Sequence, residues 1–560
     1  MAWPFHRLLV ELVASSPLRH RLFRFFYVGS IGSALGYTMQ TTVAAWLMAT
    51  LTPSALMVSL VQTASTVPTL LFGLFAGTLA DIVERRRIIL VTQIVLLAAT
   101  ALLGATTFSG HIGPASLLAL TFIVGLGFTF YLPAQQSSIN ELVSRSELPR
   151  AVALGAVAFN VARAIGPAMA GAIAAWMSSG SALLASAACF IFMIIALRLV
   201  KTRERPLAGV PERLVSGALS GVRFVRHSPA MRSLLLRNLT FGLCASAFWA
   251  LLPVIARDQL RLGAGGFGLL SAGFGIGAIT GALSLPSQLR HRSLNAVVAW
   301  ATLLWVASAA LMALANFTVL AVGATVGAGM AWVSVFASVS AGTQSTAPAW
   351  VRARAVAMSL VAVQASLALG SIVWGVWAAT AGTRSALIGS AAILLLLQAA
   401  THRIRVAMGS EADVTPGVQL PDLVFAEPPS PDDGPVLIQI DYRIEPERRA
   451  AFIRTVRRAE RIRRRNGAVG WRIYRDVAEE GHIVERYVIQ SWAEYVRLRA
   501  RTTVADRRTL DAIEAFEKPG VPIRVSRLIG INLEEAGAGA EALDTGGEPE
   551  GERPALERLR

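Results

Sequence analysis

Apolar runs long enough to cross a membrane recur between Phe25 and Ala400, and they constrain the fold of this 560-residue chain more than any other feature. About 20 apolar residues in a helix span the hydrocarbon core of a bilayer. Only 16% of the residues are charged, whereas soluble domains carry about 25%. We predict twelve membrane-spanning helices, over residues 26–50, 56–80, 88–108, 114–134, 151–177, 181–199, 234–256, 266–286, 294–315, 318–340, 354–380 and 384–400.

The arginines predict how these helices are oriented. Basic residues beside membrane spans stay on the cytoplasmic side. If the N-terminus is inside, the inward loops hold the triplet Arg85–Arg87 and the cluster 198–237, and the outward loops hold only Arg257, Arg261 and Arg384. Both termini of this multi-pass chain, and the domain that follows the last span, are therefore predicted to lie in the cytoplasm of a bacterial cell.

The chain also repeats itself at an offset of 204 residues. The segment RAVALGAVAFNVARAIGPAMAG from Arg150 aligns without gaps to RAVAMSLVAVQASLALGSIVWG from Arg354, with nine identities in 22 positions. Shared Ala and Gly content is an alternative source of such matches. Parallel six-span repeats around a central cavity are typical of secondary transporters. We predict a first bundle at 1–200, an interbundle loop at 201–233 and a second bundle at 234–405.

The stretch GTLADIVERRRII at 77–89 falls in the inward loop between the second and third predicted spans. Asp81 can accept hydrogen bonds from the exposed N–H groups at the start of a neighbouring helix, which that helix's dipole favours. The arginines can pair with carboxylates or lipid phosphates, and such a cluster can latch the inner ends of the two halves. Alternatively, the arginines only set the orientation of the loop. The predicted cytoplasmic gate consists of Gly73, Gly77, Asp81, Arg85, Arg86 and Arg87.

Polar groups inside a span are costly, so they usually face a cavity or a partner. Arg163 can attract an anionic ligand or, alternatively, pair within the protein. Tryptophans can stack on an aromatic ligand or anchor the bilayer interface. Asn160 and Gln364 occupy equivalent positions of the repeat. The candidates for the wall of a substrate cavity are Gln40, Gln62, Gln135, Gln136, Asn160, Arg163, Trp249, Trp332, Gln364 and Trp374.

The energy source is less evident than the topology, because no Asp or Glu lies near the middle of a predicted span. The candidates for proton coupling lie at span ends and are Asp81, Glu141 and Asp258. No GxxxxGK[ST] loop is present, which argues against an ATP-driven pump. Cys189 and Cys244 fall inside spans, so no disulfide framework is expected. No metal or cofactor site is predicted.

Two motifs resemble the major facilitator superfamily. The loop matches its signature in register at Gly77, Asp81, Arg85 and Arg86. The fifth span resembles its antiporter motif at Asn160, Arg163, Gly166, Pro167 and Gly171. The chain departs from the family at Ile82 and Glu84 and lacks the usual arginine of the fourth span. It resembles the bacterial branch that includes the enterobactin exporter and the transmembrane secretion effectors, which implies proton-driven efflux of a siderophore, drug or secondary metabolite.

The composition changes after the last span. Residues 406–434 form a Pro-rich and acidic linker, and 435–532 alternate strand and helix patterns in the order βαββαβ, which indicates a ferredoxin-like α+β domain. The tail at 533–560 has the composition of a disordered segment. The domain resembles small dimeric domains that include antibiotic-biosynthesis monooxygenases, which implies an enzymatic role or a homodimer.

The first helix of this domain, predicted over 445–466, has two faces. Phe452, Val456 and Ala459 share one face, and the opposite face carries Arg454, Arg457, Arg458, Arg461, Arg464 and Arg465. The basic face is either solvated or bound to anionic lipids of the inner leaflet. Nucleic acid is not an expected partner, because no aromatic platform accompanies it. His482 is the domain's only histidine, and a lone histidine is usually structural, so catalysis, dimerisation and regulation stay open.

Overall fold

The computed structural model describes residues 17–144, 147–199, 214–401, 403–404, 406, 408–415, 417 and 428–530. The chain divides into a helical unit, up to Glu411, and a second unit from Ala412 onward. The predicted tail, part of the predicted linker and the first part of the predicted interbundle loop lie outside the described residues.

In the described residues, the helical unit contains two sets of six long helices. The first half contains α1 (Arg21–Leu51), α2 (Ala55–Ile82), α3 (Arg85–Phe108), α4 (Pro114–Leu142), α5 (Leu148–Trp176) and α6 (Ser179–Leu199). A short amphipathic helix, α7 (Leu214–His227), follows at the predicted interbundle loop. The second half contains α8 (Pro229–Val254), α9 (Ala264–His291), α10 (Leu294–Leu314), α11 (Thr318–Thr346), α12 (Arg352–Ala381) and α13 (Thr383–Ala400).

Eleven helices of the described part are long and apolar enough to cross a membrane. The twelfth long helix, α1, has 31 residues, which is sufficient length, but it is rich in Gly, Ser and Thr. These small polar residues are largely buried, because α1 packs against α5 and α6 within the first half. The lower hydropathy of α1 therefore reflects its position inside the bundle.

Helix boundaries repeat in the register that the sequence predicts. Helices α11, α12 and α13 begin at Thr318, Arg352 and Thr383, each 204 residues after the start of α4, α5 and α6. Several helices extend past the predicted spans, and α4 reaches Leu142 where the prediction ended at 134. Polar residues at these ends continue the helix beyond the hydrocarbon core, where hydropathy no longer detects it.

The second unit is an α+β domain. Its elements are β1 (Val436–Arg443), α14 (Arg449–Asn466), β2 (Val469–Arg475), β3 (His482–Ile489), α15 (Trp492–Ala500), α16 (Val504–Glu514) and β4 (Arg524–Ile529). The strands form one antiparallel sheet in the order β2-β3-β1-β4. The single second helix predicted near 493–516 is wrong. The chain breaks after Ala500, and Thr503 starts a new helix by accepting a hydrogen bond from the N–H of Asp506.

The two faces of α14 differ as predicted, with one correction. Phe452, Val456 and Ala459 are fully buried against the sheet. The exposed stripe is narrower than the prediction and consists of Arg454, Arg457, Arg458 and Arg461. Arg465 turns away from this stripe to pair with Asp506 of α16, and Arg464 pairs with Glu460 one turn earlier at 2.9 Å. Four arginines, not six, are left to form a solvent-facing stripe.

Candidate functional site

The first half presents a wall of aromatic rings and one arginine near the middle of the membrane helices. Tyr37 of α1 stacks on Phe128 of α4 with ring centroids 3.8 Å apart. Phe128 also lies 6.4 Å from Phe159 of α5, and the guanidinium of Arg163 sits 5.1 Å from the centre of the Phe159 ring. Arg163 is partly exposed. This wall combines flat apolar surface with one positive charge.

The second half presents a larger group of rings without charge. Trp332 of α11 lies 6.2 Å from Trp249 of α8, 4.5 Å from Phe336 and 6.1 Å from Phe274 of α9. Trp249, Trp332 and Phe336 keep part of their surface exposed, whereas Phe274 is buried. The remaining rings of this cluster, Phe241, Phe248 and Trp305, are buried as well. An uncharged aromatic wall results.

The two walls occupy related positions of the repeat. Moving Tyr37 and Phe128 by 204 residues places them on Phe241 and Trp332, whose ring centroids are 6.3 Å apart. The sequence analysis missed this correspondence, because it compared identities and not aromatic character. Arg163 has Leu367 at the equivalent position, so the charge belongs to one wall alone.

Helices α5 and α9 join the two halves at a close crossing. A Cβ added to Gly268 would lie 2.8 Å from the carbonyl oxygen of Pro167 and 2.9 Å from the Cα of Gly171. Further along the crossing, Ala164 meets Gly275 with similarly close backbones. Only glycine allows this approach, because any side chain would overlap the facing helix. The two walls therefore lie at the same depth, since Arg163 and Phe274 each precede a contact residue of this crossing.

The Gly-Pro motif of the fifth span serves two contacts. Gly171 and Pro167 face α9, as described above, whereas Gly166 faces α1 and receives the side chain of Thr38. The hydroxyl of Thr38 donates to the carbonyl of Ala162 at 3.0 Å. The motif thus holds α5 between a neighbour of its own half and a helix of the other half.

Contacts between the halves gather toward the side of the membrane opposite the beginning of α1. On that side a Cβ at Gly375 of α12 would lie 3.3 Å from the Cα of Leu56 of α2. Arg257, in a five-residue π-helical turn after α8, donates to the carbonyl oxygens of Ala49 and Thr52 at the end of α1, the latter at 2.8 Å. We name this contact the Arg257 latch. It satisfies carbonyl groups that a helix end leaves unpaired.

On the arginine-rich side, where α1 begins and α13 ends, the glycines of the predicted gate make no such close contact between the halves. A Cβ at Gly77 would meet nothing within 4 Å, and one at Gly73 would meet only Thr69 of its own helix. The side chain of Asp81 lies outside the described residues. The predicted gate glycines therefore have no partner from the second half within this distance in the described part of the chain.

Each arginine of the triplet pairs within the first half in the conformation described here. Arg85 pairs with Glu141 of α4 at 2.5 Å, Arg86 donates to the carbonyl of Leu197 of α6 at 2.9 Å, and Arg87 pairs with Glu84 at 2.6 Å. Each of these partners belongs to the first half. The triplet fastens helix ends of one bundle to each other.

The other predicted cavity residues fall into two groups. Those with partly or fully exposed side chains are Gln62, Gln136, Asn160 and Gln364. Gln40, Gln135 and Trp374 are buried and do not line an open cavity, which corrects the prediction for them. Gln135 donates to Ser30 at 3.2 Å, and the indole N–H of Trp374 donates to the carbonyl of Leu243 at 2.7 Å, so both pack helix contacts.

The described proton-coupling candidates are both ion-paired, Glu141 with Arg85 and Asp258 with Arg257. The sequence analysis overlooked Glu147, at the start of α5 on the arginine-rich side. It pairs with Arg19 at 2.9 Å and accepts a hydrogen bond from the Ser144 hydroxyl at 2.6 Å. Hydrogen bonds from Ser144 and His20 hold the pKa of Glu147 at about 2. The only sequence signal was its place before a helix, where a carboxylate is favourable.

The α+β domain contains a buried carboxylate with a full set of partners. Glu485 of β3 accepts hydrogen bonds from Tyr442 at 2.8 Å, Trp471 at 2.8 Å and Arg463 at 3.2 Å. Burial and the Glu485 charge raise the pKa of Tyr442 well above its ordinary value, so its hydroxyl stays a donor. This cluster is a closed network and leaves no oxygen of Glu485 unpaired.

His482 also bridges two carboxylates. Its Nδ1 lies 2.7 Å from Asp476 and its Nε2 lies 3.0 Å from Asp441 of β1. Burial alone would lower the pKa of His482, but these two hydrogen bonds outweigh it and the pKa is raised. A protonated imidazole donates to both acids, which fits the predicted structural role.

Comparison with known proteins places this architecture among transporters. Residues 13–535 match the model of the transmembrane secretion effector family, which spans both units. The multidrug efflux pump Tap of Mycolicibacterium fortuitum is 26% identical over 365 residues, covering 63% of this chain and 88% of Tap. The staphyloferrin A transporter of Staphylococcus aureus is 24% identical over 274 residues, covering 48% of this chain and 68% of that protein.

Solved structures agree on the fold. A bacterial homolog of the human lysosomal transporter Spinster, in an inward-facing and unoccupied conformation, aligns with a TM-score of 0.58 at 15% identity, covering 70% of this chain and 97% of that one. The nucleoside transporter NupG aligns with a TM-score of 0.56 at 14% identity, covering 69% and 99%. The chain is therefore a multi-pass membrane protein that belongs to the transmembrane secretion effector family of major facilitator transporters.

Proposed function

We propose that this protein is a secondary exporter, which moves a small molecule out of the cell by exposing a central cavity to each side of the membrane in turn. The observation that carries the proposal is the one-sided contact between two repeated halves. Close backbone crossings and the Arg257 latch hold one side together, whereas Gly77 faces open space on the other. Rocking of two such halves about a shared cavity is the basis of alternating access.

The direction and cargo of transport are proposed from the relatives. A multidrug efflux pump and a staphyloferrin A transporter support export of a drug, siderophore or secondary metabolite. The two aromatic walls and Arg163 are the proposed cavity, with Asn160 and Gln364 as its paired polar groups. The arginine-rich side is the proposed cytoplasmic side, so the conformation described above is open to the cell interior.

Export is tested by expressing the full chain in a host that lacks its own efflux pumps and measuring the accumulation of a panel of siderophores and dyes. We expect lower accumulation of at least one compound. Gly268→Leu, which forces a side chain into the α5–α9 crossing, should abolish the effect, whereas Gly323→Ala, at an exposed position of α11, enters open space and should preserve it. Unchanged accumulation of every compound would contradict the proposal.

Proton antiport is the proposed driving force, with Asp81, Glu141 and Asp258 as candidate titrating groups. In everted vesicles, collapse of the pH gradient with nigericin should stop export of the compound identified above. Export that persists without the gradient would exclude proton coupling.

The cytoplasmic gate is proposed to close when the rocking of the halves brings Asp81 to the start of a second-half helix. Asp81→Asn removes the charge that such a helix start favours. We expect loss of export at normal abundance in the membrane. Equal export by Asp81→Asn and the unchanged protein would reject this role.

A regulatory or dimerising role is proposed for the α+β domain. Its buried carboxylate, Glu485, already accepts hydrogen bonds from three protein groups and has no oxygen left for catalysis. The exposed stripe on α14 carries four arginines, and each gains about 1 kcal/mol near an anionic leaflet. Deleting the residues after Val406 separates the roles. Retained export by a monomer supports dimerisation, whereas retained export with loss of an oxidation activity supports the alternative, a monooxygenase-like enzyme.

A further inference from the structure

The charge of Arg163 has no acidic partner within the described residues. Within that part of the chain no salt bridge joins Arg163 to a carboxylate, and its guanidinium lies 5.1 Å from the centre of the Phe159 ring. Arginine inside a membrane span is costly and normally pairs or faces a water-filled space. The partial exposure of Arg163 at mid-helix is consistent with the second arrangement.

The aromatic wall of the second half supplies flat apolar surface at the same depth. Arg163 and Phe274 flank the Ala164–Gly275 contact of the α5–α9 crossing, and Phe274 lies 4.2 Å from the Trp249 ring. Trp249, Trp332 and Phe336 leave part of their rings exposed. The sequence of α11 contains no charged residue, and that of α8 contains none after Arg237. A cationic ligand would gain from these rings but would be repelled by Arg163.

We propose that the ligand of this cavity is a planar aromatic anion, whose negative group pairs with Arg163 while its ring stacks on the exposed rings of Trp249 and Trp332. This inference rests on the proposed function and narrows its substrate class. A neutral aromatic compound leaves Arg163 unpaired, and an aliphatic anion leaves the rings uncovered. The combination of one cation and one aromatic wall selects for both properties together.

Two dyes with the same three-ring core and opposite charge test the proposal. Fluorescein is anionic at neutral pH and rhodamine 6G is cationic, and the binding of each to the full chain in detergent is measured by fluorescence polarisation. We expect fluorescein to bind at least tenfold more tightly. Arg163→Gln should abolish this difference, and Arg163→Lys should retain part of it. Arg384→Gln, which changes an exposed arginine at the start of α13, outside the proposed cavity, is the matched control.

The aromatic wall is tested separately. Trp332→Leu should weaken the binding of both dyes several-fold and by a similar factor, because it removes stacking and not charge. Trp300→Leu, at an exposed tryptophan of α10, is its control and should change neither affinity. Monodisperse elution and unchanged thermal unfolding identify variants that remain folded.

Preference for rhodamine 6G, equal affinity for both dyes, or an unchanged preference in folded Arg163→Gln would overturn the proposal. Binding in detergent does not depend on transport. A protein that binds fluorescein through Arg163 and exports no compound contradicts the proposed function alone. Export of several compounds without any charge preference contradicts the substrate class alone.

Discussion

Two arginines, one in each unit of the protein, lie over aromatic rings, but only one of them also has a carboxylate partner. Arg463 of α14 sits 5.2 Å from the Tyr487 ring and 3.2 Å from the buried carboxylate of Glu485. Arg163 of α5 sits 5.1 Å from the Phe159 ring, and the described residues place no carboxylate beside it. The environment of Arg463 is complete within the fold, whereas that of Arg163 is not.

The magnitudes indicate what this difference means. A cation at the centre of a membrane helix costs about 2.5–3.5 kcal/mol on insertion scales. A single cation–π contact contributes about 0.5–1 kcal/mol at exposed sites, rising to about 2 kcal/mol when desolvated. The Phe159 ring by itself therefore does not offset the cost of Arg163. An arginine whose partner is built into the fold serves stability, and one without such a partner is the group that we propose to bind the ligand.

The largest expected effect comes from breaking the complete pair. Glu485→Gln leaves Arg463 charged and buried without its counter-ion, which costs about 3–5 kcal/mol. Hydrogen exchange of the β3 amides in the full chain measures the loss as a lower free energy of opening. Glu479→Gln, which breaks the exposed pair with Arg443, is the control and should cost at most about 1 kcal/mol.

A double variant distinguishes the charge from the shape of the site. Arg463→Met combined with Glu485→Leu removes both charges and should recover most of the opening free energy. If the double variant is as unstable as Glu485→Gln, the pair is not the cause of the loss.

The Arg257 latch is a third arginine environment, in which the partners are carbonyl groups of another helix end. Arg257→Ala removes its hydrogen bonds to Ala49 and Thr52. Hydrogen bonds to a charged group contribute about 1.5–3 kcal/mol, so opening of this side should become about tenfold or more frequent. The rate of maleimide labelling at Ala49→Cys, a fully buried position, measures it.

Arg261 provides the control for this measurement, because it is exposed and lies four residues away in the same segment. Arg261→Ala should leave the labelling rate of Ala49→Cys unchanged. Equal labelling with and without Arg257 would exclude the latch.

The charge pairs of the α+β domain also predict a pH dependence. The raised pKa of His482 means that its stabilisation is complete below pH about 6.5 and is lost as pH rises through the higher pKa of the folded state. We expect the domain to lose stability between pH 6 and pH 8.5. Hydrogen exchange at the two pH values, corrected for intrinsic rates, measures this loss. In His482→Gln the stability of the domain should depend less on pH. A pH dependence equal to that of the unchanged protein would mean that other groups cause it.

The smallest effect is expected where the arginine lacks a built-in partner. Arg163→Leu introduces the residue that the repeat has at Leu367, so the free energy of unfolding should change by less than about 1 kcal/mol and need not fall. Thermal unfolding in detergent measures it. A loss as large as that of Glu485→Gln would indicate that Arg163 has a structural partner and would remove the contrast between the two arginines.

Local patterns in the sequence predicted much of this architecture. The apolar runs placed the twelve long helices, and the 204-residue offset predicted the starts of α11, α12 and α13. The βαββαβ order and the buried face around Phe452 followed from the same kind of periodicity. The break between α15 and α16 was missed, since a capping threonine at 503 is a weak signal within a helical pattern.

The predicted site was recovered less completely, for a physical reason. In the sequence, Gln40 and Trp374 cannot be distinguished from residues that line a cavity, yet both are buried between helices. The arginine triplet looks suited to join two halves, yet Arg85 and Arg86 bind neighbours in their own half. Which face of a helix meets another bundle depends on the rotation of that helix, and hydropathy does not encode rotation when nearly every face is apolar.

By itself, the sequence determined the membrane class, the positions of the long helices, the repeat and the change to an α+β domain, because hydrophobicity and its period act locally along the chain. Only the tertiary structure decided on which side of the membrane the two halves contact each other, and that α5 and α9 meet at Gly171 and Gly268. It also decided that Glu485 pairs with Arg463, while the described residues leave Arg163 without a carboxylate. These contacts link residues far apart in sequence, and they form only where packing brings the two surfaces together.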